Sequence, residues 1–167
     1  ILPRDELTEL MRGIRDDNPN ATGPKLILLE TALIENNASE ADELTAQLME
    51  RAQQDAPNPA EPLVATVYEG IATQMAQRGQ NDRALQILNR GRALFPENED
   101  IALKVASIEF RNGNTSGARD ALRDAKQHNP ESPAPYQLEA SYYESEGGHQ
   151  QAAELYQLAL TKRNTPE

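Results

Sequence analysis

The chain contains no cysteine and no tryptophan, and only 4% of its 167 residues are aromatic. Without cysteine, disulfide bonds, thiolate zinc sites and a cysteine nucleophile are excluded. The sequence has no run of about 18 apolar residues, so it predicts no membrane-spanning helix. Alanine, leucine, glutamate and glutamine are plentiful and β-branched residues are sparse, which favours helix over sheet. We therefore expect an all-α protein.

Negative charge prevails, with a net charge of −11 at pH 7. Residues 1–62 carry 13 acids and 5 bases, residues 63–130 carry 8 acids and 9 bases, and residues 131–167 carry 6 acids and 2 bases. An acidic chain repels nucleic acid and anionic lipid. The sequence thus predicts no nucleic-acid partner and no direct insertion into a membrane.

Small and apolar residues recur every 34 positions in the C-terminal part of the chain. The recurring residues are Ala72, Ala106 and Ala140; Gly79, Gly113 and Gly147; Ala84, Ala118 and Ala152; Leu88, Leu122 and Tyr156; and Gly91, Ala125 and Ala159. Pro96 and Pro130 close two of the units, and Asn164 takes that place in the third.

Each unit predicts a helix, a glycine turn, a second helix and a proline turn. The glycine can adopt a positive φ just past the first helix, and the proline ends the second helix. Alanine at the closest approach lets the two helices pack tightly. Asn81, Thr115 and His149 fall near the start of the second helices, and the first two suit an N-cap. One helix pair cannot bury its own apolar face, so successive pairs must stack.

This pattern resembles the tetratricopeptide repeat family, whose 34-residue pattern is W-x2-L-G-x2-Y, then A-x3-F, then P. The best match is Tyr68-x2-Ile71-Ala72-x2-Met75, followed by Ala84-x3-Leu88 and Pro96. The resemblance covers residues 61–164 and implies a right-handed α-solenoid of stacked antiparallel helix pairs. Glu109 and Glu139 depart from the family pattern. We expect neighbouring residues to take over the packing there: Ile108, Phe110, Leu138 and Tyr142.

The first third of the chain follows the pattern less closely. Residues 4–17 predict an amphipathic helix whose apolar stripe contains Leu7, Leu10, Met11 and Ile14. The expected division is a partial repeat with only its second helix (1–20), a degenerate repeat with a proline-rich connection (21–60), and repeats at 61–97, 98–131 and 132–167, the last one truncated at its C-terminal boundary. The predicted helix pairs are 22–36/39–55, 61–78/81–94, 98–111/115–127 and 132–146/149–162. Because the chain begins with Ile1, we expect it to be part of a longer protein.

Residues suited to catalysis are few. His128 and His149 fall in predicted turns, and the sequence has no G-x-G-x-x-G, P-loop or H-E-x-x-H motif. The acidic run at 97–100 suits a helix N-terminus and lacks the ligand spacing of a calcium loop. The sequence therefore predicts no enzymatic activity, no catalytic residue, no cofactor and no metal.

The tetratricopeptide resemblance implies a concave groove, lined by first helices, that binds an extended or helical peptide of a protein partner. The implied groove residues are Thr66, Glu69, Thr73, Gln77, Asp100, Leu103, Ser107, Phe110, Arg111, Gln137, Ser141, Glu144 and Ser145. Family members that grip chaperone C-terminal tails use Lys, Arg and Asn where this chain has Glu69, Leu103 and Gln137. That ligand class is therefore disfavoured, and a merely solvated polar surface is the alternative interpretation of this face.

The leading functional hypothesis is a non-enzymatic protein–protein interaction or scaffold module of a larger protein. One alternative is a structural or assembly component of a bacterial envelope system for polysaccharide export or secretion. The composition, rich in Ala, Gln and Glu, resembles that of long tetratricopeptide proteins in such systems, which favours the periplasm or envelope over the cytoplasm. Another is an accessory region that flanks a catalytic domain. The last predicted helix carries Leu155, Tyr156, Leu158, Ala159 and Leu160. With no capping helix after it, we also expect self-association through the terminal helices. The sequence does not name the partner.

Overall fold

The computed structural model describes the backbone of residues 2–54 and 60–163 and the side chains of residues 2–48 and 64–162. Within these ranges the regular structure is entirely α-helical. The helices are α1 (Arg4–Asp17), α2 (Thr22–Glu35), α3 (Ala38–Gln54), α4 (Ala60–Gln77), α5 (Asn81–Leu94), α6 (Glu99–Arg111), α7 (Thr115–His128), α8 (Ala134–Ser145) and α9 (His149–Arg163). Residues 55–59, in the predicted proline-rich connection, lie outside the described residues, as does Asn164.

The predicted all-α class and the predicted helices are confirmed. Every predicted helix end lies within two residues of the observed one. The chain divides into two compact units, Ile1–Met75 and Ala76–Glu167, and the boundary falls in the last turn of α4. None of the described helices is long and apolar enough to cross a membrane.

The first unit is built on a leucine-rich core from α2 and α3. In this unit α1 packs against α2, and α2 packs against α3. Tyr68 of α4 is fully buried, and its hydroxyl lies 3.0 Å from the hydroxyl of Thr45. A buried tyrosine hydroxyl requires such a polar partner, and Thr45 stands where the repeat pattern has an apolar residue. Thr45, the residue that departs from the repeat pattern, therefore contacts a polar group of α4.

The predicted apolar stripe of α1 is covered only in part. Leu10 and Ile14 are 47% and 39% exposed, whereas Thr8 is buried. Burial of Thr8 is possible because its hydroxyl donates a hydrogen bond to the carbonyl of Arg4 at 2.8 Å. Leu7 and Met11 are half-buried. The covered side of the helix therefore includes Leu7 and Met11 of the predicted stripe and is rotated away from Leu10 and Ile14.

The second unit follows the 34-residue pattern closely. Here α6 packs against α5, α7 and α8, and α8 packs against α7 and α9. Ala84 and Ala118 are fully buried and Ala152 is nearly so, as the predicted helix contacts require. The recurring glycines all have a left-handed backbone, as predicted, with φ of 77° at Gly79, 77° at Gly113 and 81° at Gly147.

The predicted N-caps are displaced by one residue. The cap of α7 is Asn114, whose side-chain oxygen accepts a hydrogen bond from the backbone N–H of Gly117 at 3.1 Å. Thr115 is the first helical residue, and its hydroxyl lies 3.2 Å from that of Tyr142. Likewise Asn81 is the first helical residue of α5, after Gln80. Asparagine, like threonine, is a good cap, so propensity alone did not distinguish the two positions.

Candidate functional site: a polar face on the first helices

On α4, the expected groove residues lie on one face of the helix. Thr66 and Thr73 are exposed and Glu69 is half-buried. The hydroxyl of Thr73 donates a hydrogen bond to the carbonyl of Glu69 at 2.8 Å. Gln77, the last residue of the helix, is exposed.

In the second unit, the expected groove residues lie on two first helices that pack side by side, α6 and α8. On α6, Leu103 and Ser107 are half-buried, and Asp100 and Arg111 are exposed at its two ends. On α8 the expected residues are all exposed: Gln137, Ser141, Glu144 and Ser145. We call these residues of α6 and α8 the polar face. Its middle is uncharged and consists of Leu103, Ser107, Gln137 and Ser141, whose hydroxyl and amide groups can accept and donate hydrogen bonds.

Phe110 is placed in the helix contact beneath this face. Its ring stacks on that of Tyr142 with the centroids 4.0 Å apart and the planes 13° apart, and the residue is only 8% exposed. The predicted compensation for Glu109 is thereby confirmed on α6, because Ile108 is also buried. The ring of Phe110 joins α6 to α8.

The two departures from the repeat pattern bind polar partners that sequence reasoning missed. Glu109 accepts a hydrogen bond from the side chain of Asn114 at 2.9 Å. Glu139 of α8 accepts one from the ammonium of Lys126 on α7 at 2.7 Å, and Arg119 lies 3.8 Å from the same carboxylate. The ammonium of Lys126 also lies 4.4 Å from the ring centroid of Tyr136. Charged groups therefore join α7 to α8 where the family pattern has apolar contacts.

Glu144 of the polar face is held by α9. It accepts a hydrogen bond from the hydroxyl of Tyr156 at 3.0 Å. This bond, with the negative charge of the carboxylate, raises the pKa of Tyr156 above its ordinary value. The phenol donates this bond, which links Glu144 of α8 to α9.

The two histidines and the acidic run at 97–100 lie at helix ends. His128 and His149 are both exposed, and Nδ1 of His128 lies 2.9 Å from the carbonyl of Asp124 in its own helix. In the acidic run, Asn98 caps α6 by accepting a hydrogen bond from the N–H of Ile101 at 3.0 Å. The described residues contain no cluster of three or more metal-binding side chains.

Comparison with known proteins gives the family. Residues 75–142 match the family model of the tetratricopeptide repeat. Residues 75–142 are tetratricopeptide repeat sequence. The resemblance inferred from the spacing is therefore confirmed, and tetratricopeptide repeats form extended surfaces that bind other proteins. No curated protein matches the chain.

Solved structures with the same fold include three proteins that bear the names MamA, BtubC and Tom70. MamA is 20% identical, with 96% of this chain and 88% of that chain covered and a TM-score of 0.57. BtubC from P. vanneervenii is 18% identical, with 98% and 72% covered and a TM-score of 0.56. Yeast Tom70 is 17% identical, with 98% and 40% covered and a TM-score of 0.57. At these identities the likeness shows the tetratricopeptide fold alone.

The last described helix, α9, leaves large apolar side chains exposed. Tyr156 is 37% exposed, Leu158 48% and Leu160 58%. Ala159, by contrast, is buried and Leu155 is half-buried. The predicted open face is thus present, but only part of the expected apolar set belongs to it.

Proposed function

We propose that the chain is a non-enzymatic interaction module whose polar face binds an extended segment of a protein partner. The observation that carries the proposal is the side-by-side packing of α6 and α8, which combines a half-buried Leu103 and Ser107 with an exposed Gln137 and Ser141. The leucine offers an apolar contact. The hydroxyl and amide groups can pair with the backbone of an extended peptide, which carries a donor and an acceptor at most residues.

The same face indicates an internal segment rather than a chain terminus. A terminal carboxylate is best bound by cations such as arginine or lysine. The positions where a carboxylate-binding site would need these cations carry the uncharged residues Leu103 and Gln137. The comparisons lend no support to envelope assembly or to a role beside a catalytic domain. The partner class that remains is a flexible, mainly uncharged polypeptide segment.

The test starts with selection of peptides from a random library displayed on phage, against the immobilised chain. Selected peptides are then measured by fluorescence polarisation. Ser141→Tyr places a bulky ring on the polar face, where it would displace the bound peptide. We expect it to weaken binding by about tenfold or more, which corresponds to a loss of about 1.4 kcal/mol. Ser116→Tyr, at an exposed serine of α7, is the matched control and should leave the affinity unchanged. Equal binding by both variants would contradict the proposal.

Self-association through α1 is a second candidate. Leu10 and Ile14 are exposed one helical turn apart, and a pair of copies would cover them. Residues 1–62 carry 13 acids and 5 bases, so repulsion between copies opposes this contact and salt should strengthen it. Light scattering over a concentration and salt series should show a dimer that Ile14→Glu removes and Leu94→Glu, at an exposed leucine of α5, does not. A monomer under all conditions would refute it.

A further inference from the structure

We propose that α9 docks an amphipathic helix of a partner protein, in the place that α8 occupies on α7. The docking surface, which we call the α9 face, consists of Ala153, Tyr156, Gln157 and Leu160. All four residues are exposed. This surface lies on α9, whereas the polar face lies on α6 and α8, and the two meet at the bond between Tyr156 and Glu144. The proposal concerns a different helix and a different ligand, so it goes beyond the peptide-binding function proposed above.

The template for the α9 face is the stripe of α7 that contacts α8. Thr115 lies beside Tyr142, Arg119 bonds Tyr143 and lies near Glu139, and Lys126 bonds Glu139. The spacing of these α7 residues, four and then seven, keeps them on one side of the helix. Leu122, at the helical position between the two cations, is 1% exposed.

Moving 34 residues along the chain converts this stripe into the α9 face. Leu122 becomes Tyr156, and its exposure rises from 1% to 37%. Arg119 becomes Ala153 and Lys126 becomes Leu160. The two cations that bind Glu139 on α7 are therefore replaced by apolar side chains at equivalent positions of α9.

This replacement defines the chemistry of the occupant. A helix docked on α9 as α8 is docked on α7 would place an apolar residue, not an acid, opposite Leu160. Positions corresponding to Tyr136, Glu139 and Tyr143 are spaced three and four residues apart, which is the spacing of one face of an amphipathic helix. The occupant is thus a helix with apolar residues at i, i+3 and i+7.

The charge of the surroundings favours a partner over a second copy. Residues 131–167 carry 6 acids and 2 bases, and Lys162 is engaged with Glu131 at 3.6 Å. The exposed apolar residues of α1, Leu10 and Ile14, lie in a segment that is also acidic, so charge repulsion opposes the docking of α1 from a second copy on α9. Lysine or arginine beside the apolar stripe complements α9 better. We therefore assign the α9 face to a basic amphipathic helix of another protein.

Tyr156 prepares the surface for such a helix. Its hydroxyl is bonded to Glu144, which restrains the ring before anything binds. An anchor that is already ordered loses less side-chain entropy on association. The ring can therefore serve as the central apolar contact of the interface.

The experiment uses the full chain and two fluorescein-labelled synthetic helical peptides, with polarisation as the readout. The first peptide has leucine at i, i+3 and i+7 and lysine on its polar side. The second has glutamate in place of the leucine at i+3. The wild-type chain should bind the first peptide at least tenfold more tightly than the second, because glutamate would be buried against Leu160 without a partner.

Leu160→Lys should reverse this preference. The change introduces at α9 the cation that Lys126 supplies on α7, so the glutamate peptide should gain affinity and the leucine peptide should lose about tenfold. Leu94→Lys, at the exposed leucine of α5, is the control and should leave the preference unchanged. Circular dichroism of each variant checks that the helices are retained.

Three results would overturn the proposal. The first is the absence of binding by the leucine peptide, and the second is binding that Leu160→Lys leaves unchanged. The third is a dimer, detected by light scattering, that Leu160→Lys dissociates, because a second copy would then be the occupant.

Discussion

Replacing Ala118 with leucine tests the helix contact on which the repeat depends. Ala118 is fully buried in the α6–α7 hairpin, and its backbone N–H bonds the carbonyl of Asn114 at 3.1 Å. Leucine adds three heavy atoms at a position with no exposed surface. Overpacking of this kind costs about 1–3 kcal/mol. Alanine and leucine are both good helix formers, so the cost reports the contact and not a change in helix propensity.

The size of the effect can be measured in two ways. For a chain of this length, about 1 kcal/mol shifts the unfolding midpoint by roughly 2–4 °C, so Ala118→Leu should lower it by about 2–12 °C. Because repeat proteins can unfold in parts, hydrogen exchange should also locate faster opening in α6 and α7. Ala93→Leu, at an exposed alanine of α5, is the control. An unchanged midpoint and unchanged exchange for Ala118→Leu would refute the tight contact.

Two further predictions concern glycine and tyrosine. Gly113→Ala should destabilise the chain by about 1–2 kcal/mol, because Gly113 has a φ of 77° although the space around it is open. Gly70→Ala, inside α4 and also in open space, should instead stabilise the chain by about 0.5–1 kcal/mol. Urea unfolding measures both changes. The pKa of Tyr156 is raised by Glu144, so the stabilisation from this bond is present below the ordinary tyrosine pKa and is lost as the pH rises through the higher value of the folded chain. An NMR titration should show a lower pKa for Tyr156 in Glu144→Gln, and an identical pKa in the two chains would contradict this assignment.

The helical skeleton could be predicted because its requirements are local or periodic. A left-handed turn needs glycine at Gly79 and Gly113, and a close helix contact needs a small residue at Ala84 and Ala118. Each requirement restricts one position to very few residue types, so the 34-residue spacing survives when other positions vary. The same requirements predicted the helix ends, which the structure confirms.

Other features could not be predicted because they depend on which neighbouring helix a side chain meets. Leu10 and Ile14 belong to the predicted stripe of α1 because they are apolar. The helix instead buries Thr8, whose hydroxyl donates a hydrogen bond to a backbone carbonyl of the same helix. Glu139 stood out as a departure from the pattern, but its partner Lys126 is 13 positions earlier, on another helix. Pairings of this kind follow from tertiary packing and leave no periodic trace. For the polar face, the structure supplied the exposure of each residue, and its use by a ligand stays a prediction.

Comparison between repeats of one chain separates what the fold requires from what the surroundings of each repeat require. Ala118 and Ala152 have the same residue type and are both buried, because each lies inside its own hairpin. Lys126 and Leu160 occupy equivalent positions with opposite chemistry, because these positions face whatever lies beyond the hairpin. On α7 that neighbour is α8, which supplies Glu139. A lysine there is explained by an acid on the next helix, so the exposed leucine at the same position of α9 suits an apolar neighbour, such as the proposed partner helix would supply.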